Sequence, residues 1–354
     1  MKNTLRIGLT VFLALSLVSC AQQGSLKAGS ATGKSMLQLI PASARAVLML
    51  DVHRSLTAEA VQNALKDPKA KEKYDGFVKM AGIDPTKDVY FLAVAMSGAQ
   101  ANNSRQGAAV VNLKYDKAGL LARIKGLAKD LKEEVYNGVT IYKGPGQPTA
   151  EGLAPCGAFL DDSNLVIGQE NMVRGVIDVY QKRADAVGKS PEMKPLLKAV
   201  NTGANFWAAS AIPQEMVKQA AEKNPMLKNL VGLSGLTLSL DYAASNLVVE
   251  VQGLGGTKDQ NKALADMLTG LKGMGSLAAA KQPLLGDVLN KVEISSGPDN
   301  VKIYASLPQE LLDKLQQVAQ KMVQEKFGGM VQVNPQAPQE EKKPETKEGA
   351  GVKK

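Results

Sequence analysis

Histidine and cysteine are almost missing from this chain. Among 354 residues there is one histidine, His53, and there are two cysteines, Cys20 and Cys156. One His and two Cys cannot supply a zinc finger or a His-rich metal centre, and two Cys cannot staple a disulfide-rich scaffold. Aromatic residues make up only 4%, which argues against stacking platforms for sugars or bases. No G-x-S-x-G nucleophile elbow marks a serine for acyl transfer. Acidic residues are also in deficit, with 34 Asp+Glu against 43 Lys+Arg and a formal charge of +9. Much of that excess lies in the first 35 residues and in the last 29. The segment between is nearly balanced and has no concentrated basic stripe, so no nucleic-acid partner is expected.

What is present is a globular composition, 44% apolar and 22% charged, on a chain long enough for two ordinary domains. Its first twenty residues read MKNTLRIGLTVFLALSLVSC. Lys2 and Arg6 form a positive start, and Ile7 to Val18 is an apolar run too short for a mature membrane span. The run closes on Leu17-Val18-Ser19-Cys20. This segment resembles the bacterial lipoprotein signal, with an aliphatic residue at −3, a small residue at −1 and Cys at +1. The resemblance implies cleavage between Ser19 and Cys20, a diacylglyceryl thioether on the Cys20 sulfur, and a third acyl chain on the new amino terminus in diderm bacteria. Two or three chains would anchor the protein stably in a membrane. Ala21 stands where an aspartate would imply inner-membrane retention in enteric bacteria, so the outer membrane is the expected address, facing the periplasm or the surface. Cys156 is then the remaining thiol in an oxidising compartment, at the start of an apolar segment. It is expected to be buried and inert.

Residues 20–35 are rich in Gly, Ser, Ala and Lys and are expected to form a flexible tether. Residues 328–354, rich in Pro, Glu and Lys, are expected to form a disordered tail. Between them the pattern of elements recurs. A strand over 46–52 and a helix over 57–64 are matched by a strand over 205–212 and a helix over 213–223. A short helix ending at Gly82 is matched by one ending at Gly232. Strands over 89–96 and 108–115 are matched by 236–242 and 246–254. Helices over 117–130 and 258–274 follow, then strands over 139–143 and 157–168 against 292–295 and 301–305. Helices over 170–183 and 309–326 close the two runs, with an extra helix over 192–200. Leu236, Leu238, Leu240 and Tyr242 alternate with small or polar residues, the mark of a half-buried strand. The expectation is an α+β fold of two tandem related units, 36–202 and 203–327, each a mainly antiparallel sheet with helices packed on one face. The element order, with Gly82-Ile83-Asp84-Pro85, Asp88-Val89 and Phe159-Leu160-Asp161-Asp162, resembles uncharacterised exported bacterial proteins with duplicated α+β units. That resemblance brings no catalytic residues with it.

Local motifs carry little chemistry. Residues 28–35, AGSATGKS, lack the first glycine and the preceding strand of a phosphate loop, and no following helix is expected. Gly253-Leu254-Gly255-Gly256 reads as a strand-to-helix turn rather than a dinucleotide fingerprint. Asp51 and His53 are two apart on a strand end, without a partner serine. His53 is expected at the surface. Asp161-Asp162 reads as a hairpin turn. Trp207 reads as core. Leu311, Leu315, Val318 and Met322 form one apolar stripe of the last helix, expected to pack on its own sheet. No catalytic residue, metal or cofactor is expected. The sequence therefore points to a lipid-anchored envelope protein that binds or scaffolds, with an envelope protein as a possible partner. A carrier for lipid or another hydrophobic ligand held in a cavity between sheet and helices is the alternative, and a hydrolase with a non-standard site is the third reading.

Overall fold

The computed structural model describes residues 27–98, 106–128, 130–144, 156–243, 245–279, 282–315, 317 and 318. The described residues up to Pro308 belong to one compact unit and those from Gln309 to a second. In the second unit residues 309–315 are helical, as the stripe through Leu311 and Leu315 predicts.

In the first unit the elements run α1 (Gly33–Met36), β1 (Ala44–Asp51), α2 (Val52–Thr57), α3 (Glu59–Ala64), α4 (Pro68–Ala81), α5 (Pro85–Asp88), β2 (Val89–Ser97), β3 (Gly107–Leu113) and α6 (Lys117–Leu127). They continue as β4 (Lys132–Tyr136), β5 (Val139–Lys143), β6 (Cys156–Phe159), β7 (Asn164–Gly168), α7 (Glu170–Tyr180) and α8 (Met193–Ala199). Then come β8 (Phe206–Ala211), α9 (Gln214–Lys223), β9 (Leu233–Ala243), β10 (Asn246–Gly255), α10 (Lys258–Ala278), α11 (Pro283–Asn290), β11 (Val292–Ser296) and β12 (Asn300–Pro308).

Helix starts follow local chemistry. Asp67 and Asp84 accept backbone N–H bonds ahead of Pro68 and Pro85, and Asp116 does the same for α6. Thr257 and Gln260 form a reciprocal capping box on α10. Such caps satisfy N–H groups that have no partner inside the helix. Helix α4 stops at Gly82, which takes the left-handed conformation (φ 69°) that a side chain would resist.

All twelve strands join one antiparallel sheet in the order β11-β12-β10-β9-β8-β1-β2-β3-β7-β6-β5-β4. The fold is α+β, as expected. The two expected units meet at the β1–β8 pair and share the sheet, with Leu48 opposite Ala208 and Met49 opposite Trp207. On each side of that pair the first three strands follow chain order outward, β1-β2-β3 and β8-β9-β10.

The main core lies on one face of this sheet. Val47 and Met49, Ala93 and Ala95, Ala108 and Val110, Val166, Trp207 and Ala209 point into it. Met36, Val173, Val176, Ile177, Met193 and Leu196 from α1, α7 and α8 close it from above. The expectation of helices on one face describes this core but not the whole sheet, because helices also pack on the other side. Two smaller clusters lie on the opposite face. Leu120, Leu121 and Ile124 of α6 pack there on Leu113, Phe159 and Leu165. Leu264 and Ala265 of α10 pack there with Val301 and Ile294.

Three local differences from the sequence expectations have physical reasons. The expected tether 20–35 is folded at its C-terminal end, because Thr32 caps α1 and Ala31 and Met36 enter the core. The helix expected at 57–64 is two short helices that begin at Val52, since Asp51 caps the first and Ala58 breaks the run in an extended conformation. The unforeseen strand β4 pairs with β5 through Asn137 (φ 49°) and Gly138 (φ 78°). Asn-Gly is the favoured pair for a two-residue hairpin turn, but the charges of Lys-Glu-Glu mask the strand itself. Those charges suit an edge, where they discourage pairing with another chain.

Candidate functional site

Two features stand out as places where this fold could meet a ligand. The first is a cleft of about 380 Å³ at the C-terminal end of β1, lined by Gly29, Ala31, Thr32, Gly33, Asp51, His53, Arg54, Tyr90, Phe91 and residues 202–204. It gathers the histidine, a carboxylate and a guanidinium, but each has local work. Asp51 Oδ1 accepts the Arg54 N–H at 2.9 Å as the cap of α2. Arg54 pairs with Asp241 at 2.8 Å and donates to the Gly203 carbonyl at 3.1 Å. His53, exposed as expected, lies against Tyr90 with ring centroids 5.6 Å apart and ring planes tilted by 37°. It sits in the first turn of α2 rather than at the end of a strand. The cleft therefore offers no base held against a nucleophile, which is the geometry that general-base catalysis needs. Residues 29–33 border it, and a helix does follow Gly33, contrary to expectation. That helix has only four residues.

The second feature is the other face of the sheet. Across its middle runs an unbroken row of directly paired residues: Ile303, Val251, Leu238, Ala208, Leu48, Val94, Ala109 and Ile167. A neighbouring row holds Val249, Leu240, Phe206, Leu50, Leu92 and Val111. Every one of these side chains is apolar, yet none is fully buried. Ile167 is 51% exposed and Leu236, on the same face, 43%. Helices α6 and α10 stand on this face at its two sides, so the rows form the floor of an apolar trough. Two adjoining rows of partly exposed apolar side chains are a candidate binding surface.

Strand β9 shows how the trough arises. Its apolar residues, expected to face the core, face the trough. The small polar Thr237 and Ser239 are the buried ones. The reason lies in α8, which approaches the sheet so closely that a side-chain carbon on Gly235 would come within 2.5 Å of Leu196 Cδ2. Only small residues fit beneath it. The sequence does hold a signal that was missed. Val47-Leu48-Met49-Leu50 is apolar at every position, which is the pattern of a strand with two apolar faces.

The remaining expectations fall as follows. Cys156 is buried, and burial together with Glu170 pushes its thiol up to about 11. Asp161 and Asp162 form the β6–β7 turn, where Asp161 Oδ1 accepts from Ser163 N at 2.8 Å and Asn164 Nδ2 at 2.9 Å. Gly255 and Gly256, both at positive φ, make the turn from β10 into α10. Trp207 is fully enclosed in the core. Among the described residues no group of three or more His, Cys, Asp or Glu is placed to hold a metal ion. Ser19, Cys20 and the tail 328–354 lie outside the described residues.

A family model described as "Protein of unknown function (DUF3352)" matches residues 91–327. No curated protein matches the sequence. Among solved structures, crystal form III of TP0453 is similar at 11% identity with a TM-score of 0.43, covering 78% of this chain and 95% of that one. Crystal form I of the same protein gives 12% identity, the same TM-score, and 78% and 94% coverage.

Proposed function

We propose that this chain, which belongs to the DUF3352 family of proteins of unknown function, is a lipid-anchored envelope protein that works by binding rather than by catalysis. Cys20 carries the anchor, as the Leu17-Val18-Ser19-Cys20 pattern implies, and the body faces the periplasm or the surface at the outer membrane. The binding surface is the trough, and its occupant is a lipid acyl chain. The observation that carries this reading is the pair of apolar rows on the open sheet face, which contain no charged or polar side chain. A protein partner needs polar groups for orientation and specificity, and interfaces average about one hydrogen bond per 100–200 Å². An alkyl chain needs none. Extended strands side by side present long parallel furrows of aliphatic carbon, which suit it.

The test is native mass spectrometry of a chain beginning at Ala21, mixed with phospholipid in detergent. Retained lipid that is lost in Ile167→Glu and Leu236→Glu supports the carrier reading. Both residues are exposed, so both variants should stay folded. Retention of no lipid, with a protein captured instead by crosslinking in whole envelopes through the same residues, replaces it with scaffolding. In a separate arm, Cys20→Ser in the full chain should move the protein out of the detergent phase on partition. If it stays there, the anchor is wrong.

A further inference from the structure

We infer that the α10–α11 hairpin is a second, peripheral contact with an anionic bilayer surface. The inference rests on the membrane address proposed above, but on none of the trough residues. The second half of α10 and the start of α11 expose a run of large apolar side chains. Leu271 is 38% exposed, Met274 60%, Leu277 79% and Leu285 42%. Leu271, Met274 and Leu277 recur every three residues and so share one side of the helix.

The charge pattern matches the same partner. Between Asp266 and Asp287 the chain has no acidic residue, and its ionisable residues there are Lys272 and Lys281. Lys272 Nζ donates to the Val292 carbonyl at 2.6 Å, an arrangement that leaves its charge in place. A stretch of exposed apolar residues that carries two lysines and no carboxylate between positions 267 and 286 has the composition of a segment that lies in the headgroup region. The first half of α10 differs. Leu264 and Ala265 are buried against the sheet, and Asp259, Lys262 and Asp266 face water, the last two as an ion pair at 2.7 Å.

The two helices of the hairpin also pack against each other. Leu289 of α11 reaches Gly275 of α10, where an added side-chain carbon would lie 3.3 Å from Leu289 Cδ1. Glycine at that position lets the two helices pack closely. Among the described residues no helix is long and apolar enough to cross a membrane, so the contact lies along the surface. An anchor at one end of the chain and this contact on the body would together fix the orientation of the trough relative to the bilayer.

The experiment is vesicle flotation of the chain beginning at Ala21, which keeps every described residue and lacks the acylated one. Vesicles are phosphatidylcholine with or without phosphatidylglycerol. Flotation is expected only with phosphatidylglycerol and should weaken with salt. Met274→Glu and Leu277→Glu should each lower the vesicle affinity about tenfold, the worth of one buried apolar side chain. Leu127→Glu and Val135→Glu, equally exposed elsewhere, should not. Leu236→Glu should float normally, which separates this contact from the trough. A fluorophore on Leu277→Cys should shift to the blue with anionic vesicles. No flotation with either lipid, or equal losses in the Leu127→Glu control, overturns the inference.

Discussion

Met49 on β1 lies directly opposite Trp207 on β8, and neither is more than 1% exposed. This contact joins the two halves of the sheet at its centre. Removing either side chain empties a site that rigid strands on both sides cannot refill. Trp207→Ala should cost about 3–5 kcal/mol and Met49→Ala about 2–5 kcal/mol. Because the sheet is continuous through this pair, urea unfolding should remain a single transition at lower midpoint. Two separated transitions would show that the halves fold independently.

Asp84 predicts acid sensitivity. Burial works to raise its carboxyl pKa, but Lys87, Thr86 and Tyr74 outweigh it and hold the group well below the ordinary carboxylate range. Lys87 Nζ lies 2.7 Å from Oδ2, Thr86 Oγ1 donates to Oδ1 at 2.6 Å, and Tyr74 donates to the same oxygen. In the unfolded chain the group titrates near pH ~3.9. Below that pH the unfolded state takes up the proton first, so the stabilisation is present at neutral pH and is lost as pH falls through the folded value. Asp84→Asn should lose about 1 kcal/mol at pH 7 with the charged interactions and cap weakened. Its stability should also fall less steeply below pH 4. Denaturant titrations at several pH values decide this, and an unchanged acid slope would remove Asp84 from the account.

Much of this fold is legible in the sequence because its local signals agree with one another. Asp-Pro starts, the Thr257–Gln260 box and alternating strands all mark elements that the structure contains. What was hidden depends on long-range packing. The run 28–35 looks like a linker by composition, yet Gly33 is there because α1 presses against the Thr202 carbonyl, 2.7 Å from where a Cβ would stand. The sidedness of β9 is set by α8, which approaches from another part of the chain. Periodicity reveals that a strand has two unlike faces, but which one a helix covers depends on size as well as polarity. The trough was illegible for the same reason, since apolar residues on both faces read as a deeply buried strand.

Gly235 turns that lesson into a measurement. A Cβ there would lie 2.5 Å from Leu196 Cδ2 and 2.8 Å from the Ser210 carbonyl oxygen. The leucine can rotate, but the backbone oxygen cannot. Gly235→Ala should therefore cost about 1–3 kcal/mol through overpacking. Adding Leu196→Ala should recover only part of the interaction, because the carbonyl contact stays. Full recovery in a double-mutant cycle would show that the side-chain clash alone matters.

Cys156 should be silent until the protein opens. Its side chain lies in the main core, and burial, with the Glu170 carboxylate adding to it, raises the thiol to about 11. Around that thiol, Lys143 bridges to Glu170 at 2.8 Å and Arg174 to Glu170 at 2.6 Å, so α7 is pinned over the C-terminal end of β5. In a chain beginning at Ala21, Cys156 is the sole cysteine. At pH 8 a disulfide reagent should label it no faster than local or global unfolding allows, because the thiolate is the nucleophile and the folded state disfavours it. The linkage also has a sign at alkaline pH. The unfolded thiol ionises near pH ~8.5, so stability from this group is complete below that value and declines as pH rises toward 11. Cys156→Ala should flatten that decline. Rapid labelling of the native chain, at a rate independent of stabilising osmolyte, would mean that the strand ends around Cys156 open freely and that the Lys143–Glu170–Arg174 bridge does not hold them.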